Sequence, residues 1–150
     1  MKKWQELTAT CFYIGYSPAA PGTLGSLAGL GLIAILYFFQ TPALFYILIT
    51  TVIFCVGLLS AKAVSDERKM HDPQIVVIDE VVGMMIALFG ISQAKFIVFL
   101  SGFLLFRLFD IWKPFPIRKL EAFPNGVGIM LDDVLAGIYA NLCLRLFHLL

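Results

Sequence analysis

Long apolar runs broken by short polar segments organise this chain. The first goes from about Leu24 to Phe39, breaks at Gln40-Thr41-Pro42 and resumes from Ala43 to about Leu59. Proline disfavours helix in the residue before it, so Gln-Thr-Pro predicts a turn and the two runs a tight helical hairpin. A polar segment follows, Lys62 to Gln74, and the chain is then apolar from Ile75 to Phe89 except at Asp79 and Glu80. Gly90-Ile91-Ser92-Gln93 separates that stretch from a fourth run, Phe96 to Trp112, which Lys113, Pro114 and Pro116 stop. Arg118-Lys119-Leu120-Glu121 and a Pro124-Asn125-Gly126 turn lead to a last apolar segment, about Gly128 to Leu150.

The pattern predicts five helices. The third is short for a bilayer, which takes about 20 residues per span, so it is expected to be tilted, partly interfacial or extended by Ile75 to Ile78, with a short Val-Val-Ile strand there as the alternative. The long runs lack period-two alternation, which argues against a closed strand barrel. Small residues four apart, Gly25 and Gly29, Gly83 and Ala87, Ala136 and Ala140, suit close helix approach in lipid, although chance in an apolar chain produces such pairs too. The expected fold is all-α: a polytopic membrane protein, one domain over residues 1–150, with four to five short helices in a compact bundle.

Composition strengthens the membrane reading. Charged residues make up 14% of the 150 positions, hydrophobic residues 60%, and mean hydropathy is +0.90, against about 25% charged residues in soluble domains. Net charge is +1, which gives no basis for a nucleic-acid partner. Cys11, Cys55 and Cys143 are odd in number and far apart, so neither a disulfide framework nor a metal-binding Cys cluster is indicated. Lys2, Lys3, Lys62, Arg68, Lys69, Arg118 and Lys119 all precede helix one, lie between two and three, or lie between four and five. The tendency of basic loops to stay inside therefore puts the starts of helices one, three and five and the end of four at the cytoplasmic face.

Those same ends carry the unusual polar groups. Leu7 to Ala61 contains no Lys, Arg, Asp or Glu, yet five of the ten carboxylates, Asp79, Glu80, Asp110, Asp132 and Asp133, lie in or beside apolar segments, where an unpaired charge costs several kcal/mol. Gathering around cations explains them. Helix capping is the simpler account of an acid in a first turn, but it explains one acid at each place better than two. Magnesium is typically held by one or two carboxylates with water and substrate phosphate, and Asp79, Glu80, Asp132 and Asp133 are the candidate ligands. Arg107 and Asp110, three apart on one helical face, are either a structural ion pair or part of the site. In the second reading Arg107 and Lys113 hold phosphate oxygens while Asp110 approaches the metal. Pro21-Gly22-Thr23-Leu24-Gly25-Ser26 opens helix one, where free N–H groups suit a phosphate and N-capping by Thr23 or Ser26 is the alternative. His71 and His148 are isolated, and no cysteine has an arginine six residues later, so covalent catalysis is disfavoured.

In series, Pro-Gly-Thr-Leu-Gly-Ser at 21–26, Ile-Asp-Glu-Val-Val-Gly at 78–83, Phe-Arg-Leu-Phe-Asp-Ile-Trp-Lys-Pro-Phe-Pro-Ile at 106–117 and Gly-Ile-Met-Leu-Asp-Asp-Val-Leu-Ala-Gly at 128–137 resemble the phosphatidylglycerophosphatase A family over almost the whole chain. One departure is Pro124-Asn125-Gly126, where the family more often has Pro-Gly-Gly. The resemblance implies a largely helical enzyme of the bacterial inner membrane that uses magnesium to convert phosphatidylglycerophosphate to phosphatidylglycerol and inorganic phosphate. On that reading Asp79, Glu80, Asp132 and Asp133 bind magnesium, and Asp110 is a further ligand or orients the attacking water. Arg107, Lys113 and the Gly22 to Ser26 turn, including Thr23 and Gly25, clamp the phosphate. The partners are this lipid and the surrounding membrane lipids; oligomeric state stays open. A different class, a small ion or proton-coupled transporter subunit, would place its acids near mid-span and on both sides. An enzyme joining a CDP-activated lipid to an alcohol would need a longer Asp-Gly-x-x-Ala-Arg pattern, which is not found.

Overall fold

The computed structural model describes residues 1–91, 95–124 and 126–149, without the side chains of 147–149. Ser92, Gln93, Asn125 and the side chain of His148, which figured in the sequence reading, lie outside it. Among the described residues the protein is all-helical: α1 (Lys3–Ala9), a 3₁₀ turn (Ile14–Tyr16), α2 (Pro21–Phe38), α3 (Ala43–Arg68), α4 (Ile78–Ala87), α5 (Phe96–Trp112), α6 (Ile117–Glu121) and α7 (Val127–Leu149). The five expected helices are α2, α3, α4, α5 and α7, and two short ones are added.

The boundaries differ for physical reasons. α2 begins at Pro21, whose fixed φ and missing N–H suit a first helical position. α3 does not stop with its apolar run. Lys62 to Arg68 are nearly all residues that a helix tolerates, so it continues until Lys69 turns left-handed at φ 53°. Val76 and Val77 form no strand: the Val77 N–H donates to the Ala9 carbonyl at 2.9 Å, tying the entry of α4 to the end of α1. α2, α3 and α7 are long and apolar enough to cross a membrane.

The short α4 is the centre of the bundle, packed against α2, α3, α5 and α7. The small residues make that approach close. A Cβ on Gly29 would press on Val81 and Met84, one on Gly83 would enter the Phe106 ring, and one on Gly137 would strike the Gly83 carbonyl. Ala87, Ala136 and Ala140 are fully buried.

Ten residues rise only about 15 Å, so α4 ends inside the bundle, among the long apolar helices that surround it, and its last carbonyls need partners there. Side chains from three other helices provide them. Tyr46 Oη donates to the Met85 carbonyl at 2.7 Å, and Asn141 Nδ2 to those of Ile86, Ala87 and Phe89 at 3.2, 3.0 and 2.9 Å. Arg145 Nη2 donates to Phe89 at 2.9 Å and Tyr37 to Ile91, while Arg145 Nε holds Asn141 Oδ1 at 2.7 Å. Asn141→Leu strands several carbonyls and is expected to cost about 1–3 kcal/mol, seen as a lower thermal unfolding midpoint in detergent. An unchanged midpoint would contradict this capping role.

Candidate active site

The start of α2, the loop before α4, the start of α4, the end of α5 and the start of α7 meet around a cavity of about 320 Å³. Asp79, Glu80, Arg107, Asp110, Lys113, Asp132 and Asp133 all line it, with Gly22 and Thr23. Carboxylates separated by more than fifty residues in sequence thus share one hollow. Gly25 and Ser26 lie behind its wall. A Cβ on Gly22 would collide with the Glu80 carboxylate, and one on Gly25 would press on Val77 and sit 3.4 Å from Glu80 Oε2. The glycines of this motif therefore let α2 approach Glu80.

Side-chain N-capping accounts for neither the Gly22 to Ser26 motif nor Asp79 and Glu80, although both acids stand in the first turn of α4. α2 and α4 have no side-chain cap. Ser26 Oγ instead donates back to the Gly22 carbonyl at 3.0 Å and accepts from Arg107 Nη1 at 3.5 Å. With Pro21 lacking an N–H and the Leu24 N–H bonded to the Ala20 carbonyl, the Gly22 and Thr23 N–H groups stand in the unsatisfied first turn at the cavity wall.

The acids divide into two sets. One oxygen each from Asp79, Glu80 and Asp133 lies within 4.8 Å of the others. Asp79 and Asp133 are buried, and among the described residues Asp79 Oδ1, Glu80 Oε2 and Asp133 Oδ2 have no hydrogen-bond partner. Asp110 and Asp132, by contrast, are paired. Arg107 Nη1 lies 2.6 Å from Asp110 Oδ2 and 4.0 Å from Glu80 Oε1. Lys113 Nζ lies 2.7 Å from Asp132 Oδ2 and 3.3 Å from Glu121 Oε1. Burial alone would lower the Lys113 pKa, but its bond to Asp132 and the nearby Glu121 outweigh burial and raise it, so the ammonium persists at working pH. Ala20 (φ 44°) and Lys113 (φ 47°) are both left-handed non-glycine residues on the cavity wall, and such strained backbone concentrates at functional sites.

Asp72 and Gln74 complete the lining from the loop before α4; the sequence reading left both in a polar connector. Their only signal was a position a few residues before Asp79. Six acidic side chains therefore line the cavity with two basic ones, Arg107 and Lys113. Asp79, Glu80 and Asp133, each with a buried carboxyl oxygen that lacks a hydrogen-bond partner among the described residues, are the side chains that could hold a hard divalent cation.

A profile of the family described as phosphatidylglycerophosphatase A matches residues 7–148. The chain belongs to this family. A phosphatidylglycerophosphatase A of Haemophilus influenzae is 43% identical over 136 residues, covering 90% of this chain and 83% of the relative. That of Escherichia coli is 35% identical over 134 residues, covering 89% and 77%. A Bacteroides thetaiotaomicron protein named putative phosphatidylinositol-3-phosphatase is 40% identical over 141 residues, covering 89% and 87%. No solved structure matches the chain. Family membership makes the protein a phosphatase, and its described residues form an all-helical fold with three helices long and apolar enough to span a membrane.

Proposed function

We propose that this phosphatase hydrolyses the phosphomonoester of phosphatidylglycerophosphate to phosphatidylglycerol and inorganic phosphate, with magnesium, at the cytoplasmic face of the bacterial inner membrane. The observation that carries the reading is an acid-lined cavity in which three unpartnered carboxyl oxygens share one hollow with Arg107 and Lys113. A phosphomonoester adds further negative charge, so a site this acidic accepts it only with a bound cation.

Asp79, Glu80 and Asp133 would hold magnesium, which when bound supplies positive charge against the phosphate and makes a bound water more acidic. Arg107, fixed by Asp110, directs its remaining N–H groups at nonbridging oxygens, and the first-turn N–H groups of Gly22 and Thr23 donate beside it. Lys113, seated between Asp132 and Glu121, adds a point charge at the opposite wall. Asp132 positions this lysine.

Depth supports a lipid substrate. Exposed Trp4, Tyr13, Tyr16, Trp112, Phe115 and Phe123 all belong to segments at the cavity's end of the bundle, and such aromatics favour the headgroup region. The basic residues of the same end favour the cytoplasmic side. Relatives named for phosphatidylglycerophosphate and for a phosphatidylinositol 3-phosphate activity share a phosphorylated phospholipid headgroup. Phosphate release should be measured from phosphatidylglycerophosphate, phosphatidylinositol 3-phosphate, phosphatidic acid and a soluble phosphomonoester in mixed micelles. At least tenfold higher kcat/KM for the first is expected. Equal turnover of all four would remove the named substrate.

A further inference from the structure

We infer that Asp72 is the general acid that protonates the departing alcohol oxygen, an assignment that rests on the phosphomonoester reading above. An alkoxide is about as basic as hydroxide and leaves poorly at neutral pH unless it gains a proton as the bond breaks. Displacement at phosphorus is roughly in line, so the departing oxygen lies across the phosphorus from the attacking water. The unpartnered cluster of Asp79, Glu80 and Asp133 marks the attacking side.

Asp72 lines the cavity from the loop between α3 and α4 and is exposed at its rim. The groups that face it are Asp110 and Lys113 from α5, Glu121 from α6, Asp132 from α7 and His71 from its own loop. Lys113 and Glu121 are the strongest of these influences, and neither belongs to the unpartnered trio. The other cavity acids are committed elsewhere: Asp110 to Arg107, Asp132 to Lys113, and the remaining three to one another's neighbourhood. Among the described residues Asp72 has no ion pair. Partial desolvation raises its pKa above the ordinary carboxylate value, with Glu121 and Asp110 adding to the rise and Lys113 and His71 opposing it. A carboxyl so placed holds a proton further toward neutral pH and exchanges it with solvent.

In the step, the P–O bond to the lipid alcohol breaks and its electron pair goes to the alcohol oxygen, which takes the Asp72 proton. Water supplies the new P–O bond, and a proton equivalent to the one it sheds returns to Asp72 from solvent. The net change splits one water between phosphate and alcohol.

The test is the pH dependence of kcat for full-length wild type and Asp72→Asn, a near-isosteric change at an exposed loop position. It is read on whichever lipid phosphomonoester wild type turns over. D72N is expected to lower kcat about 100-fold or more, change KM by less than threefold, and abolish the decline in kcat on the alkaline side. A kcat within threefold of wild type, or a uniform loss with the alkaline decline intact, would overturn the assignment. Wild-type inertness toward phosphatidylglycerophosphate would instead remove the proposed substrate, a separate result.

Discussion

Asp133→Asn is expected to lower kcat for phosphate release by about a thousandfold or more, and Asp79→Asn to do the same. The size follows from what the two residues hold. Asp79 Oδ1 and Asp133 Oδ2 are buried without hydrogen-bond partners among the described residues, so a bound cation is what favours their ionised form. An amide oxygen at either place keeps the shape and removes one charge from the donor set, which weakens cation binding. Losing about 4 kcal/mol of charge stabilisation at the phosphate corresponds to roughly a thousandfold in rate. Because each change replaces a carboxyl whose ionised form burial disfavours, the unfolding midpoint without metal should hold or rise. A variant with near-wild-type kcat would show that the trio has another purpose.

Arg107→Lys gives the second large effect, a fall in kcat/KM of about 100-fold. The guanidinium spans three elements at once: Asp110 on its own helix, Glu80 on α4 and Ser26 on α2. Lysine preserves the charge but lacks the planar fork, so it satisfies Asp110 and leaves nothing directed at the phosphate. Loss despite retained charge separates geometry from simple electrostatic attraction. Activity equal to wild type would mean that Arg107 is a structural pair with Asp110 and no more.

The sequence made the site's membership legible because charge inside apolar segments is costly, which left Asp79, Glu80, Asp110, Asp132 and Asp133 conspicuous. It did not reveal how they divide. Adjacent acids such as Asp132 and Asp133 look equivalent in one dimension, yet helical rotation of about 100° per residue aims one at Lys113 and the other at Asp79 and Glu80. Asp72 was illegible for the opposite reason: in a polar loop an acid carries no penalty and draws no notice. Helix boundaries followed the same logic. α5 coincided with its apolar run, whereas α3 continued through Lys62 to Arg68 because a helix leaving the membrane needs only tolerant residues, not apolar ones. The capping of α4 by Tyr46, Asn141 and Arg145 depends on distant helices and has no local signature.

The central claim is that Asp79, Glu80 and Asp133 together hold a divalent cation while Asp132 holds Lys113. Calorimetric titration of metal-stripped protein with magnesium tests it directly. Binding in wild type and in Asp132→Asn, with binding lost in Asp79→Asn and Asp133→Asn, is the predicted result. Wild type that takes up no magnesium, or four proteins that bind it alike, would contradict the account.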